Sequence, residues 1–424
     1  MKKKVKPYEI LYDILHLTLD MVERVVAEEE QLVLKSYIKN TMHAFERTIQ
    51  QAGEGKPIAG FHFAFSGDIL NAFDVAPFCI EAIPYLLSSL MPNGAEYFYD
   101  KVHAWGHPYH ACTSQKGIMG MLLEGLIDFD FMVCSSSPCD NTVSSYQFFS
   151  NQMKIPLFIA DMPQSKTDRG YEYFAGELMR QINGISELIR QEPDLEKFRT
   201  AVEINRQAQE YLIEINELRR RVPSPIESVV NPVITATTIF LPGMPEKAQI
   251  FRDILELMRK RVKHNEMRPG YERIRSIWPN IAFFFDIGFY EWIDRELGMS
   301  FLMDCTTHYH FDLLDPRQKR MEEILYEFAK QAMNSPMTRQ SLHFLETLIE
   351  DTLWAAKTYR ADCGIFVSHL GCKQVNSALQ IVREALRDEL GIPMLTIECD
   401  IGDKRFTSID TIKYEVSEFV KTLL

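Results

Sequence analysis

The sequence predicts an α/β protein with two doubly wound parallel-sheet domains, an N-terminal helical segment and a helical connector. Short apolar runs of strand length alternate with amphipathic stretches of helical period, the pattern of βαβ units. That alternation occurs twice, on either side of a long, charged, helix-forming stretch. At 424 residues the chain also exceeds what one hydrophobic core usually serves, so two domains with accessory helices are expected.

Residues 1–55 form the N-terminal segment, where 8–52 read as two helices with Ile10, Leu11, Ile14, Leu15 and Met21 at helical spacing. The first α/β domain, 56–165, opens with the strand IAGFHFAF after Gly53, Gly55 and Pro57. A helix-forming stretch follows from Asp68, then the short strand FDVAP (73–77) and the helix GIMGMLLEGLIDF. The strand DFMVCSS (130–136), the helix DNTVSSYQFF and the strand IPLFIAD (155–161) complete that domain. The connector, 166–265, is helical and charged from Gly170 to about Val222, without a Gly/Ser- or Pro-rich linker. In the second domain, 266–424, strands are expected in GYERIRSIWPNIAF, MSFLMDCT, DCGIFVSH (362–369) and IPMLTIECD (392–400). Helices are expected in IGFYEWIDREL, twice within 316–358, in CKQVNSALQIVREALRDEL and after Ser408. The order is that of flavodoxin- or Rossmann-like sheets, and the two domains are expected to face each other across a cleft.

Composition narrows the function classes. The formal charge is 46 − 59 = −13, which argues against an extended nucleic-acid surface. The short basic runs Arg219–Arg221 and Arg259–Arg261 read as solvated helix faces. The start, MKKKVKPYEILYDILHLTLDMVERVV, is basic and then amphipathic, and Asp13, Asp20 and Glu23 interrupt any secretory apolar stretch. Ile277–Trp292, the most apolar later segment, contains Pro279, Asn280 and Asp286 and is too short to span a bilayer. A cytoplasmic protein with no membrane partner is the expectation. Neither a G-x4-GK[ST] phosphate loop nor a G-x-G-x-x-G dinucleotide turn is present.

Eight cysteines stand at 79, 112, 134, 139, 305, 363, 372 and 399. A disulfide framework is not expected in a long chain without an export signal, so each is a buried thiol, a ligand or a reactive group. Cys79 follows the strand FDVAP, Cys112 precedes a helix, and Cys372 lies between a strand and the next helix. Ligand sites of open α/β sheets lie outside the carboxyl ends of strands, and helix N-termini there favour thiolates and anionic clusters. This placement alone leaves buried structural thiols as the alternative. The C-x4-C pair has a spacing that could hold a metal, with Cys134 inside a strand, where it reads as core, and Cys139 before Asp140. Cys305, Cys363 and Cys399 sit at strand positions and read as core.

Five segments, in order, resemble the 2-hydroxyacyl-CoA dehydratase and benzoyl-CoA reductase B/C-type subunits, a family that includes double-cubane cluster proteins. They are FSGDILNAFDVAPFCIE, CTSQKGIMGMLLEGLIDFDFMVCSSSPCDN, GYERIRSIWPN, FVSHLGC and IPMLTIECDIGDKR. The last resembles an E-x-D-x-x-D-x-R signature through Glu398, Asp400, Asp403 and Arg405. The resemblance covers most of the chain from about residue 56, with Gly67-Asp68 replacing the usual Pro-Glu.

The resemblance implies that Cys79, Cys112 and Cys372 hold a [4Fe–4S] cluster with one iron open to substrate. It implies one-electron reduction of an acyl-CoA thioester, either removing water from a 2-hydroxyacyl-CoA or reducing an aromatic ring. It further implies a separate ATP-dependent activator and a related cluster-bearing subunit, as heterodimer or homodimer. Two alternatives stand beside it: a homodimeric double-cubane [8Fe–9S] reductase of small molecules, and a cluster-free α/β binding or scaffold subunit. Among the histidines, His103, His107 and His110 lie near Cys112, and His308 and His310 follow another strand. His110 is a candidate proton donor. His369, three residues before Cys372, is a second candidate, placed to hydrogen-bond a cluster sulfur and tune its potential.

Overall fold

The computed structural model describes residues 4–25, 32–64, 67–91, 93–266, 268, 270–308, 313–342 and 344–424. Two parallel four-stranded sheets organise it. The first contains β1 (Ile58–Phe61), β2 (Ala76–Cys79), β3 (Phe131–Ser135) and β4 (Leu157–Ala160), ordered β2-β1-β3-β4. The second contains β5 (Ile274–Trp278), β6 (Met299–Asp304), β7 (Cys363–His369) and β8 (Met394–Cys399), ordered β6-β5-β7-β8. β3, β5 and β6 are buried along their whole length, which is why these runs are apolar rather than alternating. In both sheets the strand order reverses beside the first strand, between β1 and β3 and between β5 and β7. The fold class expected from the sequence is therefore present.

One hydrophobic core joins the N-terminal helices, the first sheet and the connector helices, and it also takes in residues from Leu314 to Leu342. The helices Lys6–Val25 and Leu32–Gly53 cap it, with Tyr8 stacked between Phe45 and Phe78 at 4.2 and 4.1 Å. Two smaller cores hold the second sheet. One gathers Trp278, Phe283, Phe289, Tyr290 and Phe301 with the C-terminal helix Ile409–Leu423. The other packs Leu348 of the helix Phe344–Thr358 and Tyr359 just beyond its end against Val382 and Leu386 of the helix Lys373–Leu390.

Several local expectations are revised. The strand expected over 58–65 ends at Phe61, and Asp68 opens a single 3₁₀ turn, Asp68–Ala72. Arg219 and Arg261 are buried rather than solvated. Arg219 donates to Asn216 and Asn231, and Arg261 pairs with Glu227 at 2.7 Å, so hydrogen bonds replace the lost hydration. His310 lies outside the described residues. Among those residues, no helix is long and apolar enough to cross a membrane.

The halves are clamped by the segment after β8. Asp400, fully buried, accepts from Thr113 Oγ1 at 2.8 Å and from the Gly402 and Asp403 amides at 2.9 and 3.0 Å. Arg405 pairs with Asp403 at 2.7 Å and crosses to Asp100 at 2.8 Å. Two of the close approaches that require glycine bear on the clamp and the helices beside it. A Cβ on Gly371 would lie 2.7 Å from the Cys112 Cα, and one on Gly120 would lie 2.4 Å from the Phe98 carbonyl oxygen. Because the second obstacle is backbone of the helix Glu96–Ala104, Gly120→Ala should lower stability by about 1–3 kcal/mol. Urea denaturation measures this, and an unchanged midpoint would show that the two helices separate freely.

Candidate active site

A cavity of about 860 Å³ opens between the two points where strand order reverses. Such switch points are where ligands bind in open α/β sheets, and here two of them meet. Four thiols line the cavity, and three of them stand immediately before a helix. Cys112 precedes Thr113–Leu123, Cys139 precedes Asp140–Met153 after β3, and Cys372 precedes Lys373–Leu390 after β7. The N–H groups and positive dipole ends of these helices favour anionic sulfur.

The predicted ligand residues divide. Cys112 and Cys372 are brought together, with Gly371 against the Cys112 backbone. Cys79 is not with them. It ends β2, is completely buried, does not line the cavity, and gives its N–H to the Tyr8 hydroxyl at 2.9 Å. Cys139 takes its place on the wall. Cys305 also lines the cavity, whereas Cys134, Cys363 and Cys399 are buried in strands.

Burial opposes ionisation of the Cys112 thiol, yet the His369 ring and the Ser114 and Tyr85 hydroxyls outweigh it and hold the thiol at about 7. The Ser114 and Tyr85 oxygens lie 3.1 and 3.5 Å from the sulfur. Burial pushes the Cys372 thiol up to about 12 and raises that of Cys139, opposed at Cys372 by the Val375 amide and at Cys139 chiefly by the Thr142 hydroxyl at 3.4 Å. By themselves Cys139 and Cys372 therefore stay protonated, and a bound metal would ionise them.

His369 is almost fully buried. Its Nδ1 accepts from the Ile401 amide at 3.3 Å, which leaves the ring proton on Nε2. Nε2 has no hydrogen-bond partner of good geometry among the described residues, and it faces Gly371 and Cys112. Burial lowers the His369 pKa, but Cys112 and Asp400 more than compensate and raise it. A Cys-His-Asp nucleophile is a poor description of this group. Asp400 Oδ2 stands 4.0 Å from Nδ1, and Asp400 Oδ1 is already engaged by Thr113 and two turn amides.

The other predicted histidine, His110, is exposed and lines the cavity mouth with His107. His103 is turned away from it, stacked on Tyr109 at 3.9 Å. His308 packs on Trp354 at 4.1 Å.

Sequence reasoning missed Glu81, which follows β2 and lines the cavity while 2% exposed. Burial, opposed by the Phe63 amide at 3.0 Å and Gln115 at 3.3 Å, raises its carboxyl to about 8. The neighbouring His62, 3.6 Å away, is held down at about 3 by burial, so it is neutral and does not ionise Glu81. The signal was present in PFCIE, an acid two residues beyond a strand's end.

Three helix-terminal thiols on the cavity wall and an unsatisfied imidazole N–H fit an iron–sulfur cluster. Among the described residues no three His, Cys, Asp or Glu side chains are close enough to hold one metal ion.

Residues 65–423 match the sequence profile of the family described as 2-hydroxyglutaryl-CoA dehydratase, D-component. The chain belongs to this family. A similar protein is the alpha subunit of (R)-phenyllactyl-CoA dehydratase from Clostridium sporogenes, 19% identical over 284 residues. The alignment spans 65% of this chain and 66% of that subunit, just under two thirds of its length. In this D-component family member the signature residues Asp400, Asp403 and Arg405 serve as the clamp between the sheets, while Glu398 is exposed.

Glu81 supplies a test by pH. Folded, it holds its proton to about 8; unfolded, it releases it near the ordinary 4.5. Between those values the folded state binds more protons, so stability falls as pH rises through the window. Thermal unfolding of Glu81→Gln at pH 5, 6.5 and 8 should show a shallower decline than wild type. Parallel curves would mean that Glu81 is not protonated in the folded protein.

Proposed function

We propose that this chain is the cluster-bearing subunit of a 2-hydroxyacyl-CoA dehydratase, with Cys112, Cys139 and Cys372 as ligands of a [4Fe–4S] cluster. The observation that carries the reading is the meeting of three helix-terminal thiols in one cavity at the two switch points. Dehydration is favoured over aromatic ring reduction because the family and the similar subunit are both described as dehydratases. When bound, the cluster supplies one-electron reduction and an iron open to a substrate oxygen.

The chain's own groups would do the rest. His369 Nε2 presents its proton toward the thiol cluster and would hold a sulfur or oxygen acceptor in position. Glu81, protonated at neutral pH, can give or take a proton inside a wall that excludes water. The Tyr85 hydroxyl braces Cys112, and His110 at the mouth is a second proton carrier. Without a phosphate loop, the chain would depend on an ATP-dependent activator for its electron, and a related subunit would be its partner.

Anaerobically prepared wild type should carry about four irons per chain, whereas about eight would indicate the double-cubane form. Cys112→Ser, Cys139→Ser and Cys372→Ser should each lose most iron and the visible absorption of the cluster. Cys79→Ser should keep both. Iron retained in the Cys139 variant but lost in the Cys79 variant would overturn the ligand set, and an iron-free wild type would overturn the cluster.

A further inference from the structure

We infer that the substrate of this site carries a bulky apolar alkyl or aryl tail on its 2-hydroxyacyl group, rather than a small or anionic one. The inference rests on the proposed acyl-CoA reading and deepens it. The cavity has two differently built walls. The thiols, His369, Glu81 and Gln115 lie on the wall formed by the strand ends. Away from them, four helices close the space: Lys6–Val25, Leu32–Gly53, Ala82–Leu90 and Val230–Phe240. They contribute Leu15, Leu34, Leu86, Val233 and Phe240, and Phe284 seals the join by packing on Tyr85 at 5.3 Å.

Charge points the same way. Among the described residues that line the cavity, histidines apart, the single cationic side chain is Lys373. It is exposed and sits beside Cys372, not on the helical wall. A second carboxylate on the acyl tail would be buried against the helical wall without a counter-charge, and the one carboxylate it would meet at the rim, Asp140, is a like charge. Volume agrees as well. About 860 Å³ lies toward the upper end of small-molecule sites, which run to about 1,000 Å³, and a three-carbon acyl group would leave the helical wall bare. Each methylene placed against that wall should tighten binding about fourfold.

The test is equilibrium binding to the anaerobic holoprotein without activator or reductant, so that no turnover occurs. The probes are lactyl-CoA, 2-hydroxyhexanoyl-CoA, phenyllactyl-CoA, 2-hydroxyglutaryl-CoA and free CoA. The hexanoyl and phenyllactyl thioesters should bind at least about tenfold more tightly than lactyl-CoA, and the glutaryl thioester no more tightly than lactyl-CoA. Ala236→Leu, which fills the helical wall, should weaken phenyllactyl-CoA at least fivefold and leave lactyl-CoA unchanged. Should that variant not fold, the wild-type series decides alone. Equal affinity across the thioesters, or tightest binding of the glutaryl form, overturns the apolar tail while leaving the acyl-CoA reading in place. Failure to bind any thioester or CoA overturns the acyl-CoA reading itself.

Discussion

The site depends on two sheet ends being held face to face at backbone contact. Neither switch point alone collects three thiols, since Cys112 and Cys139 come from one half and Cys372 from the other. The contact is tight enough to forbid a Cβ at position 371, and one buried carboxylate, Asp400, holds both the turn after β8 and the threonine next to Cys112. A charge buried this deeply is tolerated only with several donors around it. Three donors reach Asp400, so the same group that locks the halves also fixes where Cys112 sits.

The cavity is electrostatically unfinished. Buried thiols, a protonated carboxyl and an unsatisfied imidazole N–H line it together, and each pays a desolvation cost that the protein alone does not recover. Folded proteins concentrate such imperfectly satisfied groups where a ligand completes them. The helical wall is the reverse, mostly apolar and without a charged side chain, broken only by hydroxyls such as those of Thr18, Tyr37 and Thr235, and the contrast divides the space into a reacting end and a recognising end.

Much of the fold was legible because the strands are short apolar runs bounded by Gly, Pro and Asp. All eight fall inside the segments expected to hold them or within two residues of their ends, and the two long N-terminal helices follow from simple periodicity. What a sequence does not display is the lateral order of strands. Cys79 and Cys139 both stand where a strand ends, and only the order β2-β1-β3-β4 separates them. It puts β2 at the sheet edge and β3 beside the reversal, so Cys139 faces the cavity and Cys79 the core under Tyr8. Buried arginines were misread for a related reason. Their partners Asn231 and Glu227 come from the next helix and the turn before it, and become visible only once those pack.

The core shared by residues 5–258 and 314–342 has a bearing on how the chain is made. The first sheet and its helices leave the ribosome before the segment containing Ile324, Phe328 and Met333, which covers part of their apolar surface. At ordinary elongation rates that surface stays uncovered for on the order of ten seconds. A nascent chain in that interval offers sticky area to chaperones and to its own neighbours. Cutting the protein at the connector would make the exposure permanent, so the two halves are poor candidates for separate expression.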